Sequence, residues 1–273
     1  MIISSLQNPR IKAVAHLRDR RDRDREQKML VEGYRALSRA LKNHYPVSEL
    51  FVCPDLFQGE NEEKMIEGLR QSGTPIFTTT ANVFRKMAYR DRPEGLLGVS
   101  PQIHRGLAEI AIGEEPSLLL VAEAIEKPGN LGTMLRSSDA TGVDTLVLCD
   151  QCTDLYNPNV VRASTGTLFT MPVVEAGSVE TMAWLNEKRI RTLAATPHAD
   201  RLYTEVDMTG PLAIIVGTEQ YGLSEAWLQQ AELQVRIPML GQADSLNVAT
   251  ATALMLYEAV RQRGKKGRVI THE

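Results

Sequence analysis

The chain has 273 residues, of which 43% are hydrophobic and 24% are charged, and its formal net charge is −3. This length exceeds that of most single domains, and the apolar content suffices for two cores, so a two-domain protein is expected. No apolar run approaches the roughly 20 residues of a membrane-spanning helix, and the first residues lack a signal-peptide pattern. We therefore expect a cytoplasmic protein with no membrane partner.

The cysteines are few and odd in number, namely Cys53, Cys149 and Cys152. Such a set predicts no disulfide framework. Cys149 and Cys152 form a C-x-x-C pattern, but there is no second pair and the histidines are scattered, so four zinc ligands cannot be assembled from neighbours. We expect no metal, and we interpret the pattern as a feature of a strand end rather than a redox motif.

The charge is unevenly distributed along the chain. Residues 1–105 carry 18 Lys and Arg against 13 Asp and Glu, a balance of +5, whereas residues 106–273 carry 13 against 21, a balance of −8. This asymmetry is typical of a basic nucleic-acid-binding module joined to an acidic domain that binds a small molecule, although chance surface composition also produces it.

The first hundred residues alternate between short helices and strands. Asn8-Pro9 marks the start of a helix with an apolar stripe, and the alternating charges of residues 19–28 indicate a solvated helix face or a loop. Further strands are expected at residues 29–31, 50–52, 75–78 and 96–99, and further helices at residues 33–42, 62–71 and 81–87. This order predicts a small α/β sandwich.

Basic side chains near the start of the chain are candidates for binding the phosphates of a nucleic acid. A guanidinium fork matches phosphate oxygens, and Lys adds a point charge. The candidates are Arg10, Lys12, Arg18, Arg21 and Arg25. Because acidic residues are interspersed, mutual neutralisation on a solvated surface is the alternative.

Residues 106–116 form the expected linker, and residues 117–273 the expected second domain. Its strands are predicted at residues 118–122, 145–148, 171–174, 192–195, 212–216 and 233–236, and its helices at residues 131–141, 159–164, 179–187, 224–230 and 245–263. The alternation predicts a mostly parallel sheet with helices on both faces. Ligands of such sheets bind beyond the carboxyl ends of the strands.

Three loops of the second domain follow strands and combine glycines with polar residues. They contain Asn130, Gly132 and Arg136; Gly217-Thr218-Glu219 with Gly222-Leu223-Ser224; and Ile237-Pro238-Met239 with Ser245-Leu246-Asn247-Val248. Asn130 and Ser245 stand where N-caps are expected, directly before predicted helices. Taken singly, each loop is compatible with an ordinary strand-turn-helix unit.

In order and internal spacing, these three loops resemble the motifs of the SpoU (TrmH-like) RNA 2′-O-ribose methyltransferases of the SPOUT superfamily. The resemblance extends from residue 117 to about residue 263, and the first hundred residues resemble the substrate-binding extension of rRNA-modifying members. One departure is Ala249, where a serine is expected. The resemblance implies an L30e/L7Ae-like α/β domain followed by an α/β-knot domain with a deep trefoil knot. It also implies a homodimer with shared sites.

The same resemblance implies S-adenosylmethionine-dependent methylation of a ribose 2′-hydroxyl in RNA. We expect 23S rRNA as substrate, with tRNA as the alternative. Arg136 is expected to grip the target phosphate and orient the hydroxyl. Its use as the general base, also ascribed to the family, conflicts with the reluctance of a guanidinium to lose its proton.

The resemblance assigns the remaining polar motif residues to a shell around Arg136 and the ribose, namely Asn130, Glu219, Ser245 and Asn247. The cofactor-binding positions that it implies are Gly217, Ile237 and Leu246, with Met239 and Thr196 as neighbours. We expect Gly217 where the backbone passes close to the cofactor. Core packing is the ordinary alternative for the apolar members.

Two other classes of function share features with this sequence. Residues 128–132 could pass for the phosphate loop of a dinucleotide-dependent oxidoreductase, but G-x-G-x-x-G and the Walker pattern are both missing. A non-catalytic RNA-binding module would keep the first domain but would not need the three loops.

Overall fold

The computed structural model describes residues 2–113 and 117–264, which form two compact units. The first unit contains the chain up to His104 together with Lys127–Gly132 and Thr153–Thr170. The second contains Arg105–Glu126, Thr133–Cys152 and the chain from Met171 onwards. Residues 114–116 of the predicted linker and the end of the predicted second domain, residues 265–273, lie outside the described residues.

Helices and strands alternate through most of the chain, as the sequence predicts. Up to residue 101 the elements are β1 (Ile2–Ile3), α1 (Pro9–His16), α2 (Arg20–Glu26), β2 (Lys28–Glu32), α3 (Tyr34–Lys42), β3 (Glu49–Val52), α4 (Glu62–Gln71), β4 (Ile76–Thr79), α5 (Ala81–Met87) and β5 (Leu96–Pro101). The later ones are β6 (Leu118–Glu123), α6 (Pro128–Thr141), β7 (Thr145–Cys149), α7 (Pro158–Ser164), β8 (Val173–Ala176), α8 (Ser178–Glu187), β9 (Arg191–Ala195), β10 (Arg201–Leu202), β11 (Leu212–Val216), α9 (Glu225–Gln230), β12 (Leu233–Arg236) and α10 (Val248–Gln262). None of the helices in the described ranges is long and apolar enough to cross a membrane.

The first unit is built on a five-stranded mixed sheet in the order β1-β4-β3-β5-β2. Strand β4 runs parallel to β1 and β3, and β5 runs antiparallel to β3 and β2. Ile11 and Val14 of α1 are buried against apolar residues of the sheet and of α5. The predicted small α/β sandwich is therefore confirmed, and the two-residue strand β1 is an addition to it.

Helix α2 carries a buried arginine in the middle of the segment of alternating charges. Arg23 is only 1% exposed. Its Nε and Nη2 donate to Asp154 Oδ2 at 3.0 and 2.5 Å, and its Nη1 donates to the carbonyl oxygens of Leu17 and Arg18 at 2.9 and 2.7 Å. The other oxygen of Asp154 accepts from the backbone N–H of Tyr156 at 2.8 Å. Both charges are thus paired and hydrogen-bonded, which burial requires.

Asp154 belongs to a chain segment that is distant in sequence from the rest of the first unit. This segment also donates from Asn159 Nδ2 to the Tyr89 hydroxyl at 2.8 Å and from the Tyr156 hydroxyl to the Ile103 carbonyl at 2.5 Å. The compact units therefore do not follow chain order. The domain boundaries at residues 105 and 117 stay a prediction.

The second unit contains seven strands in the order β10-β12-β9-β11-β6-β7-β8, and every pair of neighbours is parallel. The predicted mostly parallel sheet is confirmed. The central strands are buried from end to end, which explains why they read as continuous apolar runs. Leu107, from the predicted linker, is buried in the same core.

Two helices begin three residues away from their predicted starts. Helix α6 starts at Pro128 rather than at residue 131, so Asn130 lies inside its first turn and is not its cap. Proline suits this position because its missing N–H would have no partner there. Helix α10 starts at Val248, and its cap is Asn247 rather than Ser245. Asn247 Oδ1 accepts from the N–H groups of Ala249 and Thr250 at 3.0 and 3.3 Å.

The two cysteines of the C-x-x-C pattern differ in their surroundings. Cys149 is buried at the end of β7, where its thiol donates to Thr181 Oγ1 at 3.3 Å, and burial raises the pKa of this thiol to about 11. Cys152 is exposed, and both cysteines are free. A thiol with so high a pKa is a poor nucleophile, which supports the interpretation as a strand-end feature.

The buried ion pair makes the first unit sensitive to a single substitution. Arg23→Met should lower the free energy of unfolding by about 3 kcal/mol, because Asp154 would be left buried without its partner. The measurement is urea unfolding followed by circular dichroism. Arg20→Met is the matched control, since its ion pair with Asp24 is more than half exposed on both sides, and it should cost less than about 0.5 kcal/mol. Equal losses for the two variants would contradict this assignment.

Candidate functional site

A cleft of about 330 Å³ opens in the second unit, where strands β9, β11 and β12 end. These strands are neighbours in the order β12-β9-β11, so the loops that follow them meet at one edge of the sheet. The cleft is lined by seven of the predicted site residues, namely Thr196, Gly217, Glu219, Ile237, Met239, Ser245 and Leu246. The rule that ligands bind beyond the carboxyl ends of parallel strands places the candidate site here.

The loop after β11 is closed by its own backbone. Thr218 N–H donates to the Gly222 carbonyl at 2.9 Å, and Gly222 N–H donates back to the Thr218 carbonyl at 3.1 Å. A Cβ atom on Gly217 would overlap the backbone of Gly222 and Leu223. The sequence predicts glycine here for closeness to the cofactor. The structure adds a second reason, because the loop's own backbone leaves no room for a side chain, and the closeness to the cofactor stays a prediction.

Asn247 connects the loops that follow β11 and β12. While its Oδ1 caps helix α10, its Nδ2 donates to Glu219 Oε1 at 2.5 Å. One exposed side chain therefore fixes both the start of the helix and the position of the carboxylate at the cleft. Asn247 itself does not line the cleft, and it reaches the site through Glu219.

The predicted cofactor residues form a wall of mixed polarity. Ile237, Met239 and Leu246 are half-buried and line the cleft. Thr196, at the end of β9, is 9% exposed; its N–H donates to the Val235 carbonyl at 3.0 Å. Partly exposed apolar groups beside backbone polar groups suit a ligand that has both an apolar and a polar part.

Arg136 and Asn130 are not brought to this cleft. Arg136 is exposed on α6. Its side chain makes no hydrogen bond or ion pair within the described ranges, and it does not line the cleft. Asn130 belongs to the first compact unit, where it is half-buried. The cleft of a single chain thus lacks the arginine that the resemblance assigns to catalysis.

Sequence reasoning missed several residues of the site. His198 and Asp244 also line the cleft. Glu123, at the end of β6, is only 6% exposed and accepts from the N–H of Ser224 at 2.8 Å, so it holds the end of the loop after β11. Glu123 and His198 come shortly after predicted strands. The rule that ligands bind beyond the carboxyl ends of parallel strands could therefore have identified them.

The five predicted RNA-binding side chains differ in their surroundings. Arg10 pairs with Glu49 at 2.7 Å and lies over the Phe77 ring, whereas Arg25 pairs with Asp22 and Glu26 on its own helix. The other three, Lys12, Arg18 and Arg21, are exposed. Their contact with RNA stays a prediction.

Comparison with known families agrees with this architecture. A model described as the SpoU rRNA methylase family matches residues 117–257, which is more than half of the chain. The chain belongs to the SpoU rRNA methylase family. A second model, the MRM3-like substrate-binding domain, matches residues 8–98. Asp154 thus lies in the SpoU match, whereas its partner Arg23 lies in the substrate-binding match.

Other SpoU methylases resemble this chain over most of its length. It is 33% identical to a 23S rRNA (uridine(2479)-2'-O)-methyltransferase of Streptomyces viridochromogenes, over 91% of this chain and 88% of that protein. A crystal structure of an RNA 2'-O ribose methyltransferase is similar with a TM-score of 0.86 and 40% identity, over 97% of this chain and 100% of that one. The SpoU methyltransferase AviRb from Streptomyces viridochromogenes, solved in complex with AdoMet, gives a TM-score of 0.84 and 32% identity over 94% and 99% of the two chains.

The closed loop after β11 predicts a local effect of a small substitution. Gly217→Ala should open the bridge between Thr218 and Gly222, because the new Cβ has no room against their backbone. Hydrogen exchange followed by mass spectrometry should then show faster exchange at residues 217–223 and unchanged exchange in β6 and β7. Gly177→Ala is the control, since a Cβ there meets nothing within 4 Å. Unchanged exchange in Gly217→Ala would show that the loop accommodates a side chain.

Proposed function

We propose that this protein transfers the methyl group of S-adenosylmethionine to a ribose 2′-hydroxyl of 23S rRNA. The observation that carries the proposal is the cleft at the ends of β9, β11 and β12, with Glu219 held by Asn247 at its mouth. Membership of the SpoU rRNA methylase family and the named activity of the Streptomyces relative support the reaction and the substrate.

The residues of the cleft fit S-adenosylmethionine. A cavity of about 330 Å³ lies within the range of small-ligand sites. Ile237, Met239 and Leu246 would hold the apolar faces of the cofactor, and Thr196 and the backbone beside Gly217 would hold its polar edges. When bound, the cofactor supplies an electrophilic methyl group on a sulfonium, which requires no metal activation. The complex of AviRb with AdoMet supports this assignment.

Glu219, Ser245 and Asn247 would form the polar surroundings of the ribose, and Asn130, which does not line the cleft of its own chain, would join them from a second copy. Asn247 fixes Glu219 before any substrate binds, so this carboxylate loses little conformational freedom on binding. Such preorganised groups act on the charge that develops during the reaction without having to reorient.

Arg136 would bind the phosphate beside the target ribose and stabilise negative charge on the hydroxyl oxygen. A guanidinium keeps its proton at neutral pH, so we assign Arg136 to electrostatic stabilisation and orientation rather than to proton removal. Its side chain has no partner within the described residues, which leaves all its donors available to a phosphate.

We propose a homodimer in which Arg136 of one subunit serves the cleft of the other. The support is that Arg136 is not among the residues that line the cleft of its own chain. In addition, Leu254 and Tyr257 of α10 are 38% and 54% exposed and lie three residues apart on one helix face, and Leu240 is 99% exposed. These apolar side chains suit burial against a second copy.

Two finer expectations belong to the same proposal. We infer from family membership that the chain of the second unit is knotted as a trefoil, and we expect the protein to work in the cytoplasm, where rRNA is made and modified in bacteria. The first unit would supply RNA affinity, as the balance of +5 over residues 1–105 suggests. Deleting it is not a clean test, because Asp154 would lose its buried partner.

The activity is tested with purified protein, radiolabelled S-adenosylmethionine and two substrates. A 23S rRNA transcript should accept label at one ribose, identified by mass spectrometry of nuclease digests, and bulk tRNA should accept none. Label on tRNA alone would show that the substrate is tRNA, the alternative to 23S rRNA. Binding of RNA without any transfer, at saturating cofactor, would indicate a non-catalytic module.

Arg136→Ala should keep the affinity for S-adenosylmethionine, measured by calorimetry, and lose about 3 kcal/mol of transition-state stabilisation, roughly a hundredfold in rate. Lys188→Ala is the control, since this exposed side chain pairs only with its neighbour Glu187 among the described residues. Arg136→Lys should recover only part of the rate, because an ammonium lacks the fork of donors.

The shared site is tested by mixing two inactive variants. Gly217→Val should abolish cofactor binding, because its side chain cannot fit against the loop backbone. Heterodimers of Gly217→Val with Arg136→Ala, separated by differential tagging, would carry both defects in one site and leave the other site intact. Methylation should therefore return in part. Heterodimers as inactive as both parents would show that Arg136 works within its own subunit.

A further inference from the structure

The first unit contains a second cleft, of about 450 Å³, that the proposed reaction does not use. It lies between the first turn of α3, the loop that leads into α4, the turn before β5 and the end of α7. Three arginines line it, namely Arg35, Arg90 and Arg162, together with Glu62 and Glu94. We call it the arginine cleft.

The two carboxylates of the arginine cleft are already engaged. Glu94 pairs with Arg90. Glu62 is only 4% exposed, and its Oε1 accepts from the N–H groups of Gln58 and Gly59 at 3.3 and 2.8 Å. These carboxylates serve the protein's own structure, so they offer little competition for a bound anion.

Two of the three arginines remain available. Arg35 and Arg162 are exposed, and within the described ranges neither side chain makes a hydrogen bond or an ion pair. The third, Arg90, is half-buried, and its Nε is buried without an acceptor among the described residues. A buried N–H without an acceptor is unfavourable, and an anion in the cleft would add negative charge near it.

The start of α3 adds to the positive potential. This nine-residue helix begins at Tyr34, its N-cap Gly33 offers no side chain to its first N–H groups, and its first turn carries no acidic residue. Residues 34–36 line the cleft. Free N–H groups at a helix start favour a negative charge, in the same direction as the arginines.

We propose that the arginine cleft binds a phosphodiester group of the RNA substrate, with Arg35 and Arg162 as its main contacts. The guanidinium fork matches phosphate oxygens, and both carboxylates of the cleft are engaged within the protein. This inference rests on the proposed function. It adds that Arg162, from the sequence matched by the SpoU model, joins Arg35, from the substrate-binding match, in holding one RNA group.

The test compares Arg35→Gln, Arg162→Gln and their combination with Arg70→Gln, an exposed arginine of α4 that pairs with Glu67 outside the cleft. Binding of a 23S rRNA transcript is measured by fluorescence anisotropy at several salt concentrations. Each single cleft variant should raise the Kd about fivefold, and the double variant should lower the slope of log K against log salt by about 0.7 to 0.9, the contribution of one phosphate contact. Arg70→Gln should change the Kd less than twofold.

Three readouts separate the possible failures. Circular dichroism establishes that the variants fold, and calorimetry should show unchanged affinity for S-adenosylmethionine. If the double variant binds RNA with the wild-type Kd and salt slope while the wild type methylates RNA, this inference is overturned and the proposed function stands. If the wild type neither binds S-adenosylmethionine nor transfers methyl groups, the proposed function is overturned, and with it the inference that rests on it.

The source of the phosphate is tested by competition. Inorganic phosphate and guanosine monophosphate should displace the labelled transcript only at millimolar concentrations, whereas an unlabelled transcript should do so near its own Kd. If micromolar guanosine monophosphate displaced the transcript from the wild type but not from the double variant, the cleft would be a site for a free nucleotide. That result would overturn the assignment to RNA.

Discussion

The parallel pairing of β11 with both β9 and β6 is the constraint on which the site depends. Because every strand of this sheet points the same way, the loops after β9, β11 and β12 all lie at one edge. Within that edge, the positions are refined by single hydrogen bonds, above all the one from Asn247 to Glu219. The sheet thus brings the loops together, and a few side chains fix their conformations.

Much of this arrangement could be predicted, because the relevant signals are local. Buried parallel strands read as continuous apolar runs, and the turns between them carry glycine, proline and asparagine. The strands other than β1 and β10, most helices and seven of the proposed site residues were predicted on this basis and from the family motifs. The cleft contains them because the strand-end rule depends only on strand direction.

The misassigned residues depend on partners that are distant in sequence. Ser245 and Asn247 are both favoured N-cap residues, and only the path of the loop decides that Asn247 caps the helix. Arg23 is one of several arginines in a run of alternating charges. Its burial follows from Asp154, which is 131 positions away. In the same way, the need for glycine at residue 217 arises from the returning backbone at residue 222.

The pairing of Arg23 with Asp154 has a consequence for how this architecture can be recombined. The two residues lie in sequence regions matched by different family models, yet they share one buried contact. One could exchange the substrate-binding region between relatives in order to redirect the enzyme to another RNA. The exchange would separate Arg23 from Asp154 unless residues 153–170 were transferred as well. The natural unit of exchange is discontinuous in the chain, and designers of chimeric methylases would have to cut at three places rather than one.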